Sequence, residues 1–216
     1  MKIIIPYREL SQRCKNKNLR KFSNGKSLLE ITIEKFTEHD VILASIPSER
    51  TQSIAKKYGC TALDLNEEDT GWSELFHEIA TKAESIARNE PVCFWTATEI
   101  TYFINNTIQD FISFGKKNLQ EKDKSTMLVR KMKHFFVDEN FLPDNFNPGA
   151  WHPYSQFLKQ KYIVGWASIT TRNKMQKYRY YWEPSCEAYI AKGPYVDIDT
   201  EEEFKTAQIL WKASIG

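Results

Sequence analysis

The chain has 216 residues, of which 41% are hydrophobic and 27% charged, and its formal net charge is only +2. That is the composition of an ordinary soluble protein, long enough for one good core in a single domain with an appendage. The near-neutral total argues against a long nucleic acid as partner, and four scattered cysteines (Cys14, Cys60, Cys93, Cys186) without a CxxC pair argue against both a zinc site and a disulfide framework.

In chain order, the first element is Ile3–Ile5, three β-branched residues that run into Pro6 and then a cationic loop. A continuous apolar run of this kind reads as a buried parallel strand. It is too short for a signal-peptide core or a membrane span, so a cytoplasmic location without membrane contact is expected. Eight basic residues (Lys2, Arg8, Arg13, Lys15, Lys17, Arg20, Lys21, Lys26) fall within the first 26 positions against one acid, Glu9. Because the charge is local and sits past the carboxyl end of a strand, where open α/β sheets take ligands, a polyphosphate is favoured.

Ser27-Leu28-Leu29-Glu30 is a capping box, and Leu28, Leu29, Thr32, Ile33 and Phe36 then fall on one helical face. Val41–Ser45 is strand-like, Pro47 opens a helix that Gly59 closes, and Thr61–Leu65 is the next strand. The pattern Trp72, Leu75, Phe76, Ile79, Ala80, Ala83, Ile86, Ala87 predicts a long amphipathic helix. Val92–Thr96 is a strand, and Thr101 caps a helix with Ile104, Ile108, Phe111 and Ile112 on its face, ended by Gly115. Strand and helix therefore alternate through the first half. The alternation predicts an α/β fold with a mainly parallel sheet and helices on both faces.

Lys116–Lys124 reads as a solvated loop and Met127–Arg130 as a strand. Asp138–Pro153 is rich in Asn, Pro and aromatics without a period, which marks an excursion of functional or partner-binding type. Strands are expected at Tyr162–Thr170 and Ser185–Ala191, and a second capping box, Thr200–Glu203, opens a final helix with Phe204, Ala207, Leu210 and Trp211. His39, His77, His134 and His152 show no ligand spacing.

Near the carboxyl end stands Val196-Asp197-Ile198-Asp199-Thr200. Alternation puts both aspartates on one face and Val196 and Ile198 in the core. Two adjacent carboxylates repel, and a hard cation relieves them. The alternative is that Asp199 simply stabilises the helix N-terminus behind it.

The opening pattern P-x-R-x-x-S (Pro6, Arg8, Ser11), followed by Lys17-Asn18-Leu19, Gly25, Ser27-Leu28-Leu29 and Ile33, resembles the acylneuraminate cytidylyltransferases, the CMP-sialic acid synthetase family. The closing VDIDTEEE at 196–203 is similar to that family's VDIDT motif. Looser matches lie between them: Ala55–Gly59, Asp69-Thr70, Ala97-Thr98, Ser155-Gln156-Phe157-Leu158 with Tyr162, and Tyr180-Tyr181 with Pro184.

The resemblance implies a Rossmann-like nucleotidyltransferase fold and transfer of CMP from CTP to a sialic-acid-like, acidic sugar with release of pyrophosphate and Mg²⁺ as cofactor. It also implies a homodimer built through 138–160. By the same resemblance Arg8, Ser11, Gln12, Arg13, Lys17 and Asn18 bind the nucleotide, with Lys17 catalytic, and Asp197 and Asp199 are the catalytic, metal-holding pair. Gln156, Tyr162, Tyr180 and Tyr181 line the sugar side, with core or dimer packing as the alternative for the aromatics.

The chain departs from the family pattern at Gln12, where the family has lysine, at Ala44-Ser45-Ile46, at Asp64-Leu65-Asn66, at Thr96 and Glu99-Ile100, and at Val164-Gly165 or Gly165-Trp166. Losing one hydrogen-bonding partner in a polar site costs about 1 to 3 kcal/mol. Several such changes imply a different nucleotide or acceptor, weak activity, or a silent paralogue serving as partner subunit. A nucleic-acid module is a further alternative, motivated by cations interleaved with aromatics at 174–182.

Overall fold

In the computed structural model, residues 1–11, 13–66, 72–97, 100–101, 105–149, 154–193 and 195–215 are described. Seven strands form one sheet in the order β3-β2-β1-β4-β7-β6-β8. They are β1 (Lys2–Pro6), β2 (Asp40–Ser45), β3 (Thr61–Asp64), β4 (Pro91–Trp95), β6 (Thr126–Met132), β7 (Lys161–Thr171) and β8 (Glu187–Ile190). All run one way except β7, which is antiparallel to both β4 and β6. A second ladder pairs β5 (Ile100–Thr101) with β9 (Tyr195–Val196).

The isoleucine run does what its composition requires of a central strand. Ile3 and Ile5 face one core, with Leu29, Ile33, Phe36, Phe111 and Ile112, and Ile4 faces the other, with Phe76, Ile79, Phe94 and Met175. Helices α1 (Leu28–Glu34), α2 (Glu49–Tyr58) and α4 (Asn105–Lys122) supply the first face, and α3 (Trp72–Lys82) and α5 (Arg172–Tyr178) the second. A third cluster joins Cys14, Phe22, Leu28 and Ile31 to Val196, Ile198, Phe204 and Ala207. It docks α6 (Glu201–Ile215) and the closing motif onto the amino-terminal part of the chain.

Both capping boxes form. Ser27 and Glu30 satisfy each other's backbone amides at α1, and Thr200 and Glu203 do so at α6. The second helix is capped by Ser48 rather than opened by Pro47, and Gly59 closes it at φ 67°, a left-handed conformation that glycine takes without strain.

Several expectations need correction. Gly115 does not end α4: the helix runs through it to Lys122, so most of the charged run is helix rather than loop. A Cβ at position 115 would overlap Cβ and Cγ1 of Ile169, so glycine is there to let α4 approach β7. Thr101 lies in β5 rather than capping α4, and Ile104 lies outside the described residues. The third helix stops at Lys82; Ala83 and Ile86 stay in the core on the turn that follows. The short α5 carries no apolar stripe, only Met175 being buried, and the sequence pattern gave it no signal.

The described residues 134–149 are knit together by polar groups. Asn145 receives an N–H from Phe136 at 2.7 Å and donates to the carbonyl oxygen of His134 at 2.8 Å, while the Asp138 carboxylate accepts from the amides of Asn140 and Leu142. No described helix is long and apolar enough to cross a membrane.

Candidate active site

The order of strands reverses between β1 and β4: the chain builds outward through β2 and β3, then returns to place β4 on the other side of β1. Such a switch point leaves a crevice beyond the carboxyl ends of the two strands. β1 ends there at Pro6 and delivers the cationic loop.

That loop is folded by its own hydrogen bonds. The Ser11 hydroxyl donates to the Cys14 carbonyl oxygen and accepts from the Lys17 amide at 2.9 Å, and Asn16 turns the chain at φ 54°, a left-handed conformation that asparagine tolerates. Ser11 therefore shapes the loop. Asn18 is buried at 4% exposure; its side-chain amide donates to the Arg8 carbonyl oxygen at 2.8 Å and its own carbonyl oxygen accepts from the Leu29 amide at 3.0 Å. Asn18 thus ties β1, the loop and α1 together through its side-chain N–H and its backbone carbonyl, while its side-chain Oδ1 is buried without a hydrogen-bond partner among the described residues. Arg8 and Arg13 are exposed and Lys17 is partly buried. Gln12 lies outside the described residues.

The acidic couple arrives from the far end of the chain. Val196 and Ile198 are buried as alternation requires, and Asp197 and Asp199 are partly exposed between them. Asp199 meets the loop directly: Lys17 Nζ lies 2.8 Å from Oδ1 and an Arg13 guanidinium nitrogen 2.9 Å from Oδ2. The Lys17 ammonium also donates to the Ile198 carbonyl oxygen. One turn on, Arg20 spans both oxygens of Glu201 at 2.7 Å and lies over the Phe204 ring. Glu203 accepts from the amides of Asp199 and Thr200 at 2.8 Å, fixing the backbone that carries Asp199.

Burial by itself pushes the Asp199 carboxyl up, but the Lys17 ammonium and the Arg13 guanidinium outweigh it and hold the group below the usual carboxylate range. The capping function of the Thr200–Glu203 segment is real, yet it does not account for Asp197, which accepts from the Trp166 indole nitrogen at 3.4 Å.

Among the described residues no group of three or more His, Cys, Asp or Glu side chains could hold a metal. Asp197 and Asp199 have the donor chemistry that Mg²⁺ takes, one or two protein carboxylates with water and substrate phosphates completing the shell, and both Asp199 oxygens are engaged by Lys17 and Arg13.

The expected sugar-side residues fare differently. Tyr181 lies in the core, as the packing alternative has it: at 1% exposure its ring is packed among Phe76, Phe94, Trp166 and Tyr180, and its hydroxyl donates to the Gly165 carbonyl oxygen at 3.3 Å. Tyr180 is partly buried in the same cluster. Gln156 is exposed in a 3-10 turn at 155–157, and Tyr162 is exposed on the half of β7 that pairs only with β6.

Residues 2–99 match the cytidylyltransferase family model. That match covers the basic loop and the first four strands in chain order, a little under half of the chain, and it does not single out the acylneuraminate branch. No curated protein matches the chain. Among solved structures, CMP:2-keto-3-deoxy-manno-octonic acid synthetase complexed with CTP superposes with a TM-score of 0.65 at 14% identity, over 98% of each chain. HddC from Yersinia pseudotuberculosis superposes at 0.62 and 13% identity, over 97% of this chain and 99% of that one. A putative glucose-1-phosphate thymidylyltransferase from Bacillus anthracis, in complex with a sucrose, does so at 0.63 and 12% identity, over 97% and 94%. The chain shares the Rossmann-like α/β fold of these structures.

Proposed function

We propose that the protein is a Mg²⁺-dependent nucleotidyltransferase that moves CMP from CTP to a hydroxyl of a sialic-acid-like or related acidic sugar. The acceptor oxygen bonds to the α-phosphorus, the bond from that phosphorus to the bridging oxygen breaks, pyrophosphate leaves and the hydroxyl proton passes to solvent. The observation that carries the reading is the meeting of Lys17 and Arg13 with Asp199 at the carboxyl end of the sheet.

The chain's own residues would act by charge. Arg8, Arg13 and Lys17 neutralise a triphosphate, whose transfer needs fixed cations more than covalent chemistry. Asp199 is an anion already paired with two of them. Asp197 and Asp199 would hold Mg²⁺, which when bound draws charge from the phosphates and orients them. Nucleotide and metal together thus supply each side of the Lys17–Asp199 pair with a new partner of opposite charge. Neither alone can do so.

A second reading keeps the reaction and changes the base. It is favoured by Ala44-Ser45-Ile46 and Thr96, which stand where the resemblance places base- and sugar-contacting groups. We further propose a homodimer through the excursion and the outer half of β7, where Phe135, Val137, Phe141, Leu142, Tyr154, Phe157 and Tyr162 to Val164 are all exposed.

The test is pyrophosphate release with each of the four ribonucleoside triphosphates, with and without Mg²⁺ and an acidic sugar, alongside thermal shift. A ligand at 100 times its dissociation constant adds about 2.7 kcal/mol to stability. CTP with Mg²⁺ is expected to give the largest shift. No shift with any triphosphate would leave a partner-subunit role, and retention on a single-stranded oligonucleotide at physiological salt would revive the nucleic-acid reading.

A further inference from the structure

The geometry points to Trp166 as a positioning residue for Asp197: its indole N–H, presented by a bulge in β7, holds the carboxylate in the orientation that takes a divalent cation. The inference rests on the proposed nucleotidyltransferase site and adds to it a residue that neither the family motifs nor the acidic couple assigns.

The register of β6 against β7 carries the first part. Met127 stands opposite Ser168 and Val129 opposite Val164, so Leu128 alone faces three β7 residues, Gly165, Trp166 and Ala167. Extra residues on one strand form a bulge, and bulges beside active sites re-aim a side chain. This one is pinned from two directions. The Trp166 carbonyl oxygen accepts from the Thr96 amide at 3.0 Å, just past the end of β4, and the Gly165 carbonyl oxygen accepts from the Tyr181 hydroxyl. The buried Tyr181 therefore has a use: it supports the bulge from below, and its ring lies 6.1 Å from the Trp166 ring at 31°.

The second part is where the ring ends. Trp166 Nε1 lies 3.4 Å from Asp197 Oδ2, 31 residues away in sequence and beside the crevice at the end of β4. An indole is a donor only and carries no charge. It can fix the plane of a carboxylate without competing with a cation for its charge, as a lysine or arginine in the same place would. Partners of this kind around metal ligands are worth about 10- to 100-fold in metal affinity.

The test uses the full chain and Mn²⁺ as the probe, with free Mn²⁺ counted by electron paramagnetic resonance in the presence and absence of CTP and tryptophan emission followed in parallel. Trp166→Phe keeps a ring against Tyr181 and removes the N–H. The expected result is Mn²⁺ binding weakened about tenfold or more, loss of the Mn²⁺-linked emission change, and an unaltered Tm and metal-free CTP affinity. Wild-type Mn²⁺ affinity in the variant would overturn the inference and leave the proposed reaction standing. If Trp166→Phe does not fold, Asp197→Asn takes its place: the indole remains, and an emission change on adding Mn²⁺ that persists would overturn the inference. A wild-type protein that binds no Mn²⁺ even with CTP present would overturn both this inference and the metal site it rests on.

Discussion

Lys17 and Asp199 are 182 residues apart in sequence and 2.8 Å apart in space, and their pairing joins the loop after β1 to the turn before α6. The Lys17 side chain is 13% exposed, whereas Arg13, the other cation on Asp199, is 76% exposed. The two should therefore separate experimentally. Lys17→Met keeps the apolar stem and removes a partly buried charge that bonds both Asp199 and the Ile198 carbonyl oxygen, so it should lower unfolding free energy by about 1 to 3 kcal/mol and also abolish activity. Arg13→Ala breaks an exposed pair and should cost at most about 1 kcal/mol, with its effect falling on triphosphate affinity. Urea unfolding beside CTP titration measures both quantities, and equal stability losses would mean that the exposure difference decides nothing.

Asp197→Asn and Asp199→Asn remove one charge each with little change of volume. If the couple holds the metal, either should reduce pyrophosphate release by about 100-fold or more, the scale of losing one fixed electrostatic partner in a transition state. Their stability should differ. Asp199→Asn leaves Lys17 facing a neutral amide and should lower Tm. Retained turnover in both variants, at saturating Mg²⁺ and CTP, would rule out the couple as the reacting centre.

Acid sensitivity should concentrate in Glu30. Its side chain is 4% exposed and receives the ammonium groups of Lys21 and Lys57 and the amide of Ser27. Burial pushes this carboxyl up, but those partners overcome it and hold it well below the usual range. Because the folded group titrates lower than the unfolded one, at about 4.3, its contribution is complete above that pH and is lost as the pH falls toward the folded value. Asp199 works in the same direction from about 3.9. Glu30→Gln should be less stable than wild type by about 2 kcal/mol at pH 7, and the gap should narrow below about pH 4. Parallel stability curves between pH 7 and 3 would count against this account.

What the sequence disclosed was periodic or local. Ile3–Ile5, the two capping boxes and the Val196/Ile198 alternation are each readable within a few residues, and each is found in place. What it withheld depends on distant partners. Asn18 and Tyr181 have polar groups suited to a ligand, and only the fold shows that the Asn18 side-chain N–H and the Tyr181 hydroxyl are spent on backbone carbonyls. The pairing of Lys17 with Asp199 needed the fold, although each residue lay in a motif already marked for charge chemistry. Trp166 did leave a trace, since an isolated glycine in a strand pattern signals a bulge, and Gly165 is that glycine.

Gly115 tests the distinction between a helix breaker and a packing residue. By helix propensity alone, replacing glycine with alanine inside α4 should stabilise the protein by about 1 kcal/mol. By packing, the new Cβ would overlap Cβ and Cγ1 of Ile169 and come within 2.8 Å of Cγ2. None of these atoms is the free end of a flexible chain, and Ile169 is fully buried in β7, paired on one side with Cys93 of β4 and on the other with Thr126 of β6. α4 must then lift from the sheet, an overpacking cost of about 1 to 3 kcal/mol that exceeds the propensity gain at its centre. Gly115→Ala is expected to lower Tm while leaving pyrophosphate release below the transition intact, because α4 covers the sheet away from the loop after β1. A rise in Tm would show that the helix and strand are not as close as this packing requires.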